Sequence, residues 1–146
     1  MRLTQYTDYS LRVLMYTAAK ERTSLSRIQD ISDAYQISKN HLMKVVYQLG
    51  QLGYVETVRG RSGGIRLHQE PEDINVGTLV RQMEDDFHMV ECFDKERNQC
   101  PITAACTLQH ALGEALNAYL NVLDQYTLAD ITKNKGQLAA LLHLQE

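Results

Sequence analysis

The sequence predicts a mainly α-helical fold that contains one β-hairpin and ends in a long C-terminal helix. Apolar residues recur at helical spacing in three N-terminal segments. Two short runs rich in β-branched residues then flank a glycine-rich turn, as in a hairpin. From residue 107 to about residue 132, apolar residues return every three or four positions. The 146 residues are enough for one domain with a short appended element.

The first predicted helix covers residues 7–20 and is apolar on more than half of its circumference. Such a helix packs on two sides, against its own domain and against a partner chain. After a polar turn, Ser26 and Gln29 fit a capping box that begins a second, short helix.

A third helix is predicted over residues 39–51, after a tight turn at residues 36–37. We expect Ser38 to cap it and Gly53 to end it in the left-handed conformation. Two short helices joined by a tight turn, after a longer first helix, form a helix-turn-helix pattern.

The predicted hairpin follows directly, with strands at residues 54–58 and 65–67 and a basic turn between them. It forms the wing of a winged helix-turn-helix. Any solvent-facing helix carries polar residues, but a structural hairpin does not require a basic tip, so the wing favours DNA binding. The predicted DNA contacts are Ser38, Lys39, Asn40, His41 and Lys44 on the third helix, and Arg59, Gly60, Arg61 and Arg66 on the wing.

Charge is divided unevenly along the chain. Residues 1–70 contain ten Lys and Arg against six Asp and Glu, a net charge of +4, whereas residues 71–146 contain five against twelve, a net charge of −7. This asymmetry indicates a module that binds a polyanion, joined to a separate sensing or assembly module.

The C-terminal half begins with Asn75, which we expect to cap a fourth helix over residues 76–84. Residues 84–106, called here the cysteine segment, lose periodicity. The long helix from residue 107 to about 132 carries a heptad seam, predicted to be the dimer interface: Leu108, Leu112, Ala115, Tyr119, Val122 and Tyr126. A second apolar row consists of Leu116, Leu120 and Leu123. One row can pack on the N-terminal helices, and the other requires a partner chain.

Three regions are therefore expected. Residues 1–70 form the DNA-binding domain, residues 71–107 form a linker helix and the cysteine-containing loop, and residues 108–146 form the dimerisation helix with its tail. There is no apolar run of membrane-spanning length, no signal-peptide pattern at the N-terminus, and no nucleophile–base pair or phosphate-binding loop. We therefore expect a cytoplasmic protein that does not contact the membrane and is not an enzyme.

Cys92, Cys100 and Cys106 follow the spacing C-x7-C-x5-C within a polar loop. A reducing cytosol argues against disulfides, and the loop offers little core in which cysteines could be buried. Metal ligation is therefore favoured. Zinc sites often use closer pairs, whereas iron–sulfur clusters tolerate varied spacing. The fourth ligand stays open among His110, His88, Glu91 and a carboxylate from a partner chain.

Three stretches resemble the Rrf2 family of bacterial winged-helix regulators: SKNHL at 38–42, GQLGYV at 50–55 and RGRSGGIRL at 59–67. Two more, LTQYTDYSLR at 3–12 and VECF at 90–93, resemble the branch of that family that senses nitric oxide. The resemblance implies a homodimeric repressor that binds a palindromic DNA operator. It further implies an iron–sulfur cluster on the three cysteines and repression that nitric oxide relieves.

The same resemblance implies the fourth ligand. In that branch it is an N-terminal carboxylate from the other subunit, and Asp8 is the matching position, with Arg12 one turn later to orient it. A [2Fe–2S] branch of the family instead places a histidine soon after the third cysteine, and His110 is out of register with that pattern. A [4Fe–4S] cluster is therefore favoured over a [2Fe–2S] cluster.

Two other functions remain open at this level. A regulator of the same family could sense iron or cluster supply, which the residues at the fourth ligand position would decide. A cluster-carrying assembly protein would have no affinity for DNA, and the basic wing argues against it.

Overall fold

The computed structural model describes residues 1–144 and confirms the mainly α-helical winged helix-turn-helix with one antiparallel hairpin. In chain order the elements are α1 (Gln5–Ala19), α2 (Ile28–Tyr35), α3 (Lys39–Gln51), β1 (Val55–Val58), β2 (Gly64–Leu67), α4 (Val76–Met83), α5 (Thr107–Leu123), α6 (Leu128–Ile131) and α7 (Lys135–Leu141). None of the helices within residues 1–144 has the length and apolar character needed to span a bilayer.

The first two helices begin differently from the prediction. Helix α1 starts at Gln5, because the side chain of Thr4 accepts a hydrogen bond from the Thr7 N–H. The capping box predicted at Ser26 is wrong. Ser26 instead forms an antiparallel bridge with Ile65, with both N–H···O distances at 2.8 Å, so its backbone extends the wing sheet. Arg27 occupies the N-cap position of α2.

Helix α3 has the predicted bounds and the predicted C-terminal end, but not the predicted cap by the Ser38 side chain. Gln36 adopts the left-handed conformation in the tight turn before it, with φ at 56°. Gly53 ends the helix with φ at 80°, a backbone conformation that glycine adopts without steric cost. Ser38 is the N-cap residue, but its hydroxyl makes no hydrogen bond to the described first turn of α3.

The core of the N-terminal domain lies between α1, α3 and the hairpin. Strands β1 and β2 pair in the register Val55↔Leu67 to Val58↔Gly64. The shared core contains Val13, Leu14, Ile31, Leu42, Val45, Leu49, Ile65 and Leu67, each at most 5% exposed. Because α1 and the wing bury their apolar faces against α3, the core fixes the position of this helix.

The long C-terminal helix is shorter than predicted, since α5 ends at Leu123 and α6 starts at Leu128. Tyr126 therefore does not continue the helical seam. The backbone at this break pairs with the chain before α4: the Val76 N–H donates to the Tyr126 carbonyl at 2.9 Å. A capping box formed by Thr127 and Asp130 then starts α6.

The second apolar row of α5 packs inside the chain. Leu120 is buried with Val76 and Val80 of α4, and Leu116 and Leu123 lie against the same cluster. The first row stays largely at the surface, where Leu108 is 63% exposed and Val122 is 51% exposed. Helices α6 and α7 return to α1, and Leu128 enters the main core. The boundaries predicted at residues 70 and 107 remain predictions, and the final two residues of the predicted region 108–146 lie outside the described residues.

Candidate nucleic-acid interface and metal centre

Helix α3 presents a polar face away from the core. Ser38, Lys39, Asn40 and Lys44 are all exposed, while Leu42, Val45, Val46 and Leu49 are buried on the opposite side. The predicted contact residues therefore share one accessible surface at the N-terminal end of the helix, the end that reaches base edges in helix-turn-helix proteins.

Helix α1 braces this end of α3 through two tyrosines. The ring of Tyr9 meets the ring of His41 edge to face, with centroids 5.2 Å apart. The Tyr6 hydroxyl donates a hydrogen bond to the Lys44 carbonyl at 3.0 Å. His41 is half-buried by this contact, so it is less accessible than Asn40 beside it.

The wing divides its three arginines into two groups. Arg59 and Arg61 are exposed at the tip together with Gly60. Arg66 lies lower on β2, where it forms an ion pair with Glu56 across the hairpin. The hydrogen bond from Arg66 lowers the pKa of the Glu56 carboxyl, so this pair stays ionised at neutral pH. The tip arginines are therefore better placed to meet phosphates than Arg66.

The cysteine segment is held by hydrogen bonds between side chains and backbone. Cys106 is the N-cap of α5, and its Sγ accepts a hydrogen bond from the Gln109 N–H at 3.4 Å. The Gln109 side chain donates to the Cys92 carbonyl at 3.0 Å, which ties the start of the segment to α5. The Cys100 N–H donates to Oδ1 of Asn98 at 3.0 Å. The sequence did not single out Gln109 or Asn98, because neither residue type suggests metal chemistry.

All three cysteines are free thiols and half-buried, so the donor set suits an iron–sulfur cluster in chemistry. Within residues 1–144, however, the His, Cys, Asp and Glu side chains do not come together in threes as a metal site requires. Sulfur donors are the ligands that such clusters use, and Cys106 stands at the N-cap of α5, at the end of the segment that holds the other two. The residues therefore fit the group by their chemistry and by sharing one short segment.

The other predicted ligands have partners of their own. The Arg12 guanidinium donates two hydrogen bonds to the Asp8 carboxylate, from Nη2 to Oδ2 at 2.8 Å and from Nε to Oδ1 at 3.1 Å. Both side chains are partly exposed. Glu91 accepts from the Gln99 N–H at 2.6 Å. His110 is 81% exposed beside Glu114, and His88 lies near Asp86 and Asp94.

Comparison with known proteins defines the class. The sequence model of the Rrf2 family, described as "Iron-dependent Transcriptional regulator", matches residues 3–134. The chain is 61% identical to the HTH-type transcriptional regulator NsrR of Bacillus subtilis, over the full length of both proteins. It is 59% identical to the NsrR of Bacillus licheniformis, over 97% of this chain and 99% of that protein. The solved structure of CymR, the global cysteine regulator of B. subtilis, superposes with a TM-score of 0.70 at 25% identity, covering 92% of this chain and 98% of that chain.

The fold and the site thus define a winged-helix, DNA-binding transcriptional regulator, and these relatives are named as regulators and not as enzymes. The chain belongs to the Rrf2 family.

Proposed function

We propose that this regulator is a homodimeric repressor in which a [4Fe–4S] cluster senses nitric oxide and thereby relieves repression. The observation that carries the proposal is the position of the three thiols. They lie in one short segment that leads directly into α5, whose outer apolar row is largely exposed. The likeness of residues 3–12 and 90–93 to the nitric-oxide-sensing repressor NsrR supports the choice of signal.

Cys92, Cys100 and Cys106 of one subunit would hold the cluster, and Asp8 of the partner subunit would supply the fourth ligand. When bound, the cluster supplies iron that nitric oxide can bind, and a carboxylate is a weaker ligand for such iron than a thiolate. Arg12 orients the Asp8 carboxylate through its two hydrogen bonds.

Helix α1 offers a physical route from Asp8 to the DNA-facing surface. Asp8 lies between Tyr6 and Tyr9, and these two tyrosines contact Lys44 and His41 of α3. A force that holds Asp8 in place therefore also holds the N-terminal half of α3. Release of Asp8 removes that restraint, so the two α3 helices of a dimer lose the spacing of ~34–36 Å that paired half-sites require.

The test combines a spectrum with a binding assay. Anaerobically purified protein is expected to show an iron–sulfur absorption band, and nitric oxide is expected to bleach the band and weaken DNA binding in parallel. A colourless protein that still contains no iron after anaerobic reconstitution would overturn the cluster. DNA affinity that is unchanged after complete bleaching would overturn the switch.

Variants separate the four ligands. Alanine at any one of the three cysteines should abolish the cluster. Asp8→Ala should leave a cluster that forms but reacts differently with nitric oxide, and Asp8→Cys should slow that reaction. Asp73→Ala, an exposed carboxylate on the turn before α4, is the matched control and should behave as wild type. If Asp8→Ala matches wild type in spectrum, nitrosylation rate and DNA affinity, then Asp8 is not the ligand.

The dimer is tested at a surface position. Tyr119 packs against the α4 cluster, so a charge there would disturb the fold as well as the seam. Val122 is 51% exposed on the outer row, so Val122→Asp should separate the subunits and leave each one folded. Sedimentation should then show a monomer with wild-type helicity, and a dimer that persists would contradict this interface.

A second candidate is a regulator that responds to iron supply, which the family description "Iron-dependent Transcriptional regulator" favours. The two candidates differ in one measurement. That measurement is DNA affinity in the presence of nitric oxide while the metal content is intact: an iron-supply sensor retains its affinity, whereas a nitric-oxide sensor loses it.

A further inference from the structure

Helix α3 carries two large apolar side chains on the surface that faces away from the core. Met43 is 50% exposed and Tyr47 is 69% exposed. The core face of α3 is already complete without them, since Leu42, Val45, Val46 and Leu49 are each at most 5% exposed. Half of the Met43 side chain is therefore accessible to a ligand that approaches this face of the helix.

Met43 lies within the polar contact surface. It is one turn after Lys39 and stands next to Asn40 and Lys44 on the outward face. The lysines bring positive charge to this surface, and the exposed Arg59 and Arg61 add more on the wing. This charge selects duplex DNA as the occupant of the surface rather than an apolar protein groove.

Duplex DNA presents one apolar group in the major groove, which is the C5-methyl group of thymine. A flexible thioether side chain fits such a methyl group without a geometric demand for hydrogen bonds. Residues near the N-terminus of this helix reach deepest into the groove. Met43 is in the second turn of α3, whereas Tyr47 lies one turn further from that end.

We propose that Met43 is a specificity-determining residue that reads a thymine methyl group in each half-site. The proposal rests on the DNA-binding function above and adds a base preference to it. The neighbouring polar residues bond to base edges and phosphates, while Met43 favours thymine over cytosine, guanine and adenine at its position, because none of these three bases presents a methyl group in the major groove.

The experiment replaces thymine with deoxyuridine, which removes the methyl group and leaves every hydrogen-bonding atom in place. Cluster-loaded full-length protein first selects its preferred duplex from a randomised library. Each thymine of that duplex is then replaced in turn, symmetrically in both half-sites. At one position we expect a loss of about fourfold in affinity per half-site, which corresponds to the burial of one methyl-sized group.

The Met43→Ala variant completes a double-mutant cycle. It should bind the thymine duplex more weakly than wild type and should bind the thymine and deoxyuridine duplexes equally. Met43→Leu should retain the discrimination, because it keeps an apolar side chain of similar size. Leu141→Ala is the matched control, because Leu141 is an apolar residue on α7 that is 76% exposed and off the DNA-facing surface. It should leave both affinities unchanged.

The outcomes separate the two claims. If wild type selects a sequence but no deoxyuridine position distinguishes wild type from Met43→Ala, then Met43 does not read thymine, and the DNA-binding function stands. If wild type selects no sequence at all, then the proposed function fails and this inference fails with it. Thermal unfolding that is equal for wild type and Met43→Ala confirms that the comparison concerns binding and not folding.

Discussion

The winged helix and the cysteine segment of this regulator are built in opposite ways. The winged helix surrounds a core of side chains that are almost completely buried, including Val13, Leu14 and Val45 at 0% exposure. In the cysteine segment, residues 84–106, not one described residue is buried. The segment is ordered by hydrogen bonds such as those from Gln109 and Asn98.

This difference indicates where each region obtains its stability. Burial of apolar surface is the main favourable term in folding, so the winged helix obtains its stability from this core, which Leu128 of α6 also enters. The cysteine segment lacks that term, and net hydrogen-bond contributions are only about 1 kcal/mol each. A bound metal centre contributes folding free energy directly, so under the proposed function the cluster would stabilise the region that lacks a core of its own.

The largest expected effect is a loss of stability when the core of the winged helix is disrupted. In the metal-free chain, Leu14→Ala should lower the free energy of unfolding by about 2–5 kcal/mol, because Leu14 is completely buried and its loss leaves a cavity. Cys92→Ala in the same metal-free chain should cost less than about 1 kcal/mol, since Cys92 is half-buried. Urea unfolding under reducing conditions measures both. Similar losses for the two variants would show that the cysteine segment has a core of its own.

The second effect concerns two glycines on helices that flank the cysteine segment. A Cβ added at Gly77 of α4 would lie 1.9 Å from Oδ1 of Asp124, so Gly77→Ala should destabilise the chain by about 1–3 kcal/mol. A Cβ added at Gly113 of α5 meets no described atom within 4 Å, and Gly113→Ala should stabilise the metal-free chain by up to about 1 kcal/mol. Chemical denaturation gives the sign of each change, and the same sign for both would contradict this close approach.

The contrast between the regions also explains how much the sequence could predict. Helix α3, its left-handed end at Gly53 and the hairpin followed from periodicity and turn chemistry, which are local properties. The end of α5 did not, because its heptad pattern continues to Tyr126. The helix ends earlier, at Leu123, and the chain at residues 126–128 pairs with Val76 and Ile74, a long-range pairing that leaves no local signal. Ser26 was misassigned for the same reason, because its partner Ile65 is distant in sequence.

The candidate site likewise contains residues that the local sequence predicts and residues whose positions depend on tertiary contacts. The exposed residues of α3 and the wing followed from the residues themselves, because the buried face of α3 is periodic. The ion pair between Arg66 and Glu56 could not be predicted from the residues alone, because it depends on the strand register that places Glu56 opposite Arg66. Residue type alone predicted neither the hydrogen bonds that Gln109 makes in the cysteine segment nor the exposure of Met43 and Tyr47 on α3.

The third prediction compares the two exposed arginines at the tip of the wing with Arg66, which is paired with Glu56. Each phosphate contact that is lost removes about 0.9 from the slope of log affinity against log salt concentration. Arg59 and Arg61 are exposed, so alanine at either position should flatten the slope by about that amount per subunit that binds. Arg66→Ala should change the slope less, because Arg66 is paired with Glu56. Affinity is measured against salt concentration with one duplex, and a larger change for Arg66→Ala would reverse the assignment.

The smallest effect concerns the turn that ends α5. The hydrogen bond from Arg81 lowers the pKa of the Asp124 carboxyl, and the backbone N–H of Thr127 lowers the pKa of Asp130. A carboxyl whose pKa is lower in the folded state stabilises the fold above its unfolded pKa, which is about 3.9, and loses that contribution as the pH falls through the folded value. The connection between α5 and α6 should therefore weaken below about pH 4 and remain constant above about pH 5. Urea unfolding of wild type across this range, beside Asp124→Asn and the exposed control Asp73→Asn, measures the effect. Asp124→Asn should flatten the acid dependence and Asp73→Asn should preserve it, and an acid dependence that both variants share equally would place its origin in carboxyls other than Asp124.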